Sequence, residues 1–142
     1  MAAVFRSITV PVNANKAWAV VGRFEDPVAL APGFATACDM ADGERVVSFA
    51  DGGRVREVLV AREETRRRLS YAAVGGQSRH HHAVMEVVPI DDQSSRIEWV
   101  TEILADSFVS FVIRRMDDGA AAIVRKFSEG DPGSDRREGR QA

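Results

Sequence analysis

From Ala35 to Leu104 the chain is cut at short intervals by polar turn signals: ADGE, DGG, REET, GGQS and IDDQSS. The segments between them are Ala35–Met40, Arg45–Ala50, Arg54–Arg62, Arg67–Val74, His80–Pro89 and Arg96–Leu104, and they have strand character. Breaks this short demand antiparallel hairpins, because parallel neighbours need long crossovers. Phe5–Val12 supplies an earlier strand, with Pro11 at its end or edge. Asn13 or Asn15 can cap a helix beginning NKAWAVVGRF, and EDPVALAPG predicts a second short helix with Asp26 as cap and Pro27 at its first position. After Asp106 the period changes. Phe108, Phe111, Val112, Met116, Gly119, Ala120, Ile123 and Phe127 recur at steps of three and four, predicting a helix of about 22 residues capped by Asp106 or Ser107 and roughly 33 Å long. One strand, two short helices, six strands and a long final helix make an α+β architecture.

Composition narrows the function classes. The 142 residues carry a formal net charge of −2, which favours neither nucleic acid nor an anionic membrane. No apolar run approaches the ~20 residues of a bilayer span, and MAAVFRS lacks a signal-peptide core. Cys38 is the single cysteine, so no intrachain disulfide or Cys-rich zinc motif exists. A cytoplasmic protein without integral membrane association is expected. EGDPGSDRREGRQA lacks large apolar residues, so a folded domain over 1–128 and a disordered tail over 129–142 are expected.

Three stretches in order, ITVPVNANKAWAVVGRFED, FADGGRVREVLVAREETRRRLSYAAVGG and SSRIEWVTEI, resemble the SRPBCC superfamily. Within that START-like, helix-grip group the chain looks like a polyketide cyclase/dehydrase-type member. The resemblance covers about residues 4 to 128. It implies a curved antiparallel sheet of about seven strands around the long C-terminal helix, with a ligand cavity between them. SYAAVGGQSRHH is also similar to the latch of plant abscisic-acid receptors. Only Arg79 matches there, and the gate segment is lost at Ser48–Gly52, so a gated cavity is implied but hormone reception is not.

Strand parity sorts the side chains. Trp99, Thr101 and Ile103 face inward, as do Ala83, Met85 and Val87, with His81 and Arg79 in the same phase. Leu69, Tyr71 and Ala73 join them. On VREVLV the parity is ambiguous, and the family's cavity-facing glutamate places Glu57 inside. Pairing Glu57 with Tyr71, Tyr71 with His81 and Ala83 with Thr101 centres each hairpin on a turn. His80 and His82 then share the outer face, where no third metal ligand is apparent, so no metal or cofactor is expected.

The candidate site therefore comprises Glu57, Tyr71 and His81 as polar groups. Leu59, Met85, Trp99, Phe111 and Ile123 supply apolar wall, and Arg79 stands at the mouth. Three readings follow. A small apolar molecule (lipid, isoprenoid or polyketide-like) binds in the cavity. Alternatively, His81, Glu57 and Tyr71 perform acid–base chemistry in a cyclisation or dehydration. The third is a non-catalytic interaction module with a filled interior. All three are compatible with a homodimer.

Overall fold

The computed structural model describes residues 1–76 and 78–128. The expected tail over 129–142 lies outside the described residues. In chain order the elements are β1 (Ala2–Val10), α1 (Ala14–Val21), α2 (Pro27–Leu30), β2 (Ala35–Ala41), β3 (Glu44–Phe49), β4 (Arg54–Glu63), β5 (Arg68–Ala73), β6 (His80–Asp91), β7 (Ser94–Leu104) and α3 (Val109–Ser128). All seven strands form one sheet, ordered β1-β7-β6-β5-β4-β3-β2, with every neighbouring pair antiparallel. The first strand thus pairs with the last, and the five between follow as hairpins. This is the expected curved α+β helix-grip architecture.

Local chemistry accounts for the boundaries. The Asn13 side chain accepts a hydrogen bond from the Lys16 amide at 2.9 Å, and the Asp26 carboxylate accepts from the Ala29 amide at 3.1 Å, with Pro27 opening α2. Asn15, the other expected cap, accepts from the Arg67 guanidinium instead. Asp42 and Gly43 both have positive φ (55° and 78°), the left-handed pair that a two-residue hairpin between β2 and β3 requires. The last helix departs from expectation at its start. Asp106–Phe108 forms a separate 3-10 turn whose cap position is Ala105, without a side-chain cap, so neither Asp106 nor Ser107 caps it.

Alternation is complete on β7, where Ser95, Ile97, Trp99, Thr101 and Ile103 are all buried. That face meets Val112, Met116, Ala122, Ile123 and Phe127 of α3 in one apolar core, which continues to Ala17, Trp18 and Val21 of α1. Trp18 is anchored at its polar edge, where the indole N–H donates to Glu64 Oε2 at 2.6 Å. Gly119 sits where α3 meets the Trp99 and Phe34 rings. A Cβ there would lie 3.0 Å from the Trp99 ring and 3.1 Å from Phe34. The small residues in mid-helix therefore serve close packing at this point.

Inner and outer faces should differ in mutational cost. Ile97→Ala, at a fully buried position, is expected to lose about 2–5 kcal/mol of unfolding free energy. Ile90→Ala, at an exposed position, should stay within about 0.5 kcal/mol. Urea unfolding of both variants checks the contrast.

Candidate functional site

Between the concave face and α3 lies a pocket of about 310 Å³. Arg45, Val47 and Phe49 of β3 and Val55 and Glu57 of β4 form one wall. Leu69, Tyr71 and Ala73 of β5, His81 and Met85 of β6, and Trp99, Thr101 and Ile103 of β7 continue it. Leu30 and Phe34 close one side, and Phe111, Arg115, Met116, Gly119 and Ile123 of α3 form the roof.

The electrostatic centre is an ion pair that the sequence reading missed. Arg45 and Glu57 are cross-strand partners, and their side chains are each 7% exposed. Arg45 Nε and Nη2 each lie 2.8 Å from Glu57 Oε1, and Nη1 donates to the Phe24 carbonyl at 2.6 Å. The guanidinium also has aromatic faces near it, its carbon 4.3 Å from the Phe24 ring centre and 4.8 Å from that of Tyr71. A signal for Arg45 was present in the sequence. Arg45, Val47 and Phe49 share parity on a strand, and an inward glutamate on the next strand needs a cation opposite it.

Glu57, Tyr71, Met85, Trp99 and Ile123 are buried and line the pocket, as expected. His81 lines it while half-buried, and Phe111 lines it at 43% exposure. Two expectations fail. Leu59 is 42% exposed and does not contribute to the wall. The β4–β5 register slips by one residue between Leu59 and Ala61, so Leu59 sits beside a bulge where regular alternation ends. Arg79 is exposed, in keeping with a place at the mouth, but its inward parity fails and it does not line the wall, because it precedes β6 in the turn, where strand alternation does not govern it. Two registers also shift by two residues. Glu57 pairs with Ala73 and Tyr71 with Ala83, whereas Ala83 pairs with Thr101 as expected. A shift of two preserves the face, so Glu57, Tyr71 and His81 all line the pocket, though not side by side as directly paired residues.

Burial, and then the Glu57 carboxylate, push the Tyr71 hydroxyl well above the usual phenol range, so it stays a neutral donor. Burial holds the His81 imidazole below its ordinary value, against the opposing pull of Glu57. Three buried nitrogens on pocket-lining residues lack a hydrogen-bond partner among the described residues, His81 Nδ1, Trp99 Nε1 and Arg115 Nε. At the mouth, Arg115 Nη2 holds both oxygens of Asp51 at 3.0 and 2.8 Å, and its guanidinium lies against Phe49 and Phe111, 4.1 and 4.5 Å from the ring centres. This contact ties the β3–β4 loop to α3. His80 and His82 sit on the other face, and among the described residues no group of three His, Cys, Asp or Glu could hold a metal. Nor is any described helix long and apolar enough to cross a membrane.

Residues 1–130 match the family described as polyketide cyclase/dehydrase and lipid transport. The chain belongs to this family. No curated protein matches it significantly. Among solved structures, an uncharacterised protein from Bacillus thuringiensis has a TM-score of 0.80 at 17% identity, covering 89% of this chain and 98% of that one. A START superfamily protein from Mycobacterium smegmatis has a TM-score of 0.72 at 11% identity, covering 89% and 97%. Norcoclaurine synthase from Thalictrum flavum, solved with dopamine and hydroxybenzaldehyde, has a TM-score of 0.70 at 18% identity, covering 92% and 88%. These likenesses establish the START-like fold shared by the family.

Two predictions test the site's electrostatics. Arg45→Met leaves the Glu57 carboxylate buried without its partner and is expected to cost about 3–5 kcal/mol. The Arg45→Met/Glu57→Leu double variant should recover most of that loss in denaturant unfolding, since neither charge is then stranded. For His81, the folded pKa lies below the unfolded value of about 6.5, so the unfolded chain binds more protons as pH falls below that point. Stability should therefore decline with acidification from pH ~6.5 down through the folded pKa. His81→Gln is expected to flatten that part of the profile, measured as unfolding free energy against pH.

Proposed function

We propose that this protein binds a small, largely apolar molecule in the pocket beneath α3, as a cytoplasmic binding domain of its family. The observation that carries this reading is the pocket itself. At about 310 Å³ it falls at the lower end of ligand-site volumes, and it is walled mainly by aliphatic and aromatic side chains with a few polar groups. An interaction module with a filled interior does not account for such a space. Norcoclaurine synthase, with its small aromatic ligands, illustrates what the shared fold can accommodate.

The acid–base alternative is weaker on the same geometry. Glu57 Oε1 is already engaged by two nitrogens of Arg45, which leaves the carboxylate tied into an ion pair. Tyr71 is held protonated. Burial lowers the His81 imidazole's proton affinity, and its buried Nδ1 has no orienting partner among the described residues, so it suits polar contact better than acid–base work.

The test combines native mass spectrometry of co-purifying small molecules with titration of an environment-sensitive apolar dye. Ala73→Phe projects a ring into the pocket from β5 and is expected to weaken dye binding at least tenfold. Unchanged dye affinity in a folded Ala73→Phe variant places the dye elsewhere and removes the pocket from the reading.

A further inference from the structure

Resting on that reading, we infer that the pocket selects an electrically neutral molecule bearing an oxygen acceptor, a ketone, aldehyde or ether, that takes the Trp99 indole N–H, and that it rejects carboxylate anions. The first support is charge balance. Arg45 is the cation built into the interior, and its guanidinium nitrogens are committed to Glu57 and the Phe24 carbonyl. Arg115 gives Nη2 to both oxygens of Asp51 and forms a charge-neutral pair with it, while its buried Nε has no partner among the described residues. The remaining cations on the wall stand at its rim. Arg23 pairs with Glu25, Arg56 lies 3.4 Å from Glu44, and Arg54 is exposed to water, where an ion pair adds little. An anion drawn inside would lose its hydration and, among the described residues, meet interior arginines that already have carboxylate partners, with the Glu57 carboxylate among its neighbours.

The second support is an unsatisfied donor. Trp99 is 8% exposed, and its indole N–H is buried with no acceptor among the described residues. It can only donate. The N–H edge is turned to the Tyr71 phenol without reaching hydrogen-bond geometry, while the far ring edge is pressed against Gly119. Tyr71 remains protonated and supplies a second neutral donor on the same wall. A neutral oxygen seated there removes the cost of the orphaned N–H. His81 Nδ1, also buried and unpartnered, offers a further neutral contact elsewhere on the wall.

Three probes of nearly equal shape separate these demands: 2-acetylnaphthalene, 2-ethylnaphthalene and 2-naphthoate, each titrated calorimetrically at neutral pH. The ketone is expected to bind roughly three- to tenfold more tightly than the hydrocarbon, the range of one hydrogen bond to a buried donor. Naphthoate is expected to bind more weakly than either. In Trp99→Phe the ratio of ketone to hydrocarbon affinity should fall to about one. Equal binding of ketone and hydrocarbon by the wild-type protein, or naphthoate binding as tightly as the ketone, overturns the inference while leaving apolar binding intact. Failure of all three probes to bind overturns both. The wild-type comparison decides the matter even where Trp99→Phe does not fold.

Discussion

One α-helix is about 10–12 Å across with its side chains. Seven strands spaced about 4.8 Å apart span roughly 29 Å. A single helix laid on such a sheet cannot cover it, so the sheet must curl and something else must fill what is left. α3 contacts β1 at one edge, and α1 and α2 add cover over parts of the sheet and near β2. Over β3 to β6 the inner side chains face α3 across a gap. The pocket is the geometric remainder of wrapping a wide ribbon around a narrow rod.

That remainder shapes the polar chemistry. Arg45 and Glu57 could not be buried singly, since an isolated charge in this setting costs several kcal/mol. Placed opposite one another on β3 and β4, they cancel, and the Phe24 carbonyl takes up a further N–H. Tyr71 and His81 are then held neutral by burial. The buried part of the wall is polar in places, and its charges, Arg45 with Glu57 and Arg115 with Asp51, are paired.

The fold was largely legible in the sequence because each level agreed: turn residues, alternation and the change of period after Asp106 all point to one topology. Faces were legible as well, since parity survives a register error of two. Register was not. The β4–β5 turn spans Glu64–Arg67 and is centred beyond Glu64, which displaced the Glu57–Tyr71 pairing, and the bulge after Leu59 has no turn residue to announce it. Arg79 was misplaced because parity was extended past the end of β6 into a turn. Arg45 was overlooked for a different reason. An arginine on a strand reads as solvent-facing until its cross-strand neighbour is known, and that neighbour depends on register.

The contact between Trp99 and Gly119 has a consequence of its own. An indole lying 3.0 Å from where a Cβ would stand is braced by α3 on that edge and buried in the core, so its orientation is restricted before anything arrives. Ordering a mobile side chain typically subtracts about 0.5–1.5 kcal/mol from association, and a guest meeting this ring is spared that entropic toll. The glycine thus acts at a distance from the polar atoms, as the anvil against which the recognition surface is preorganised.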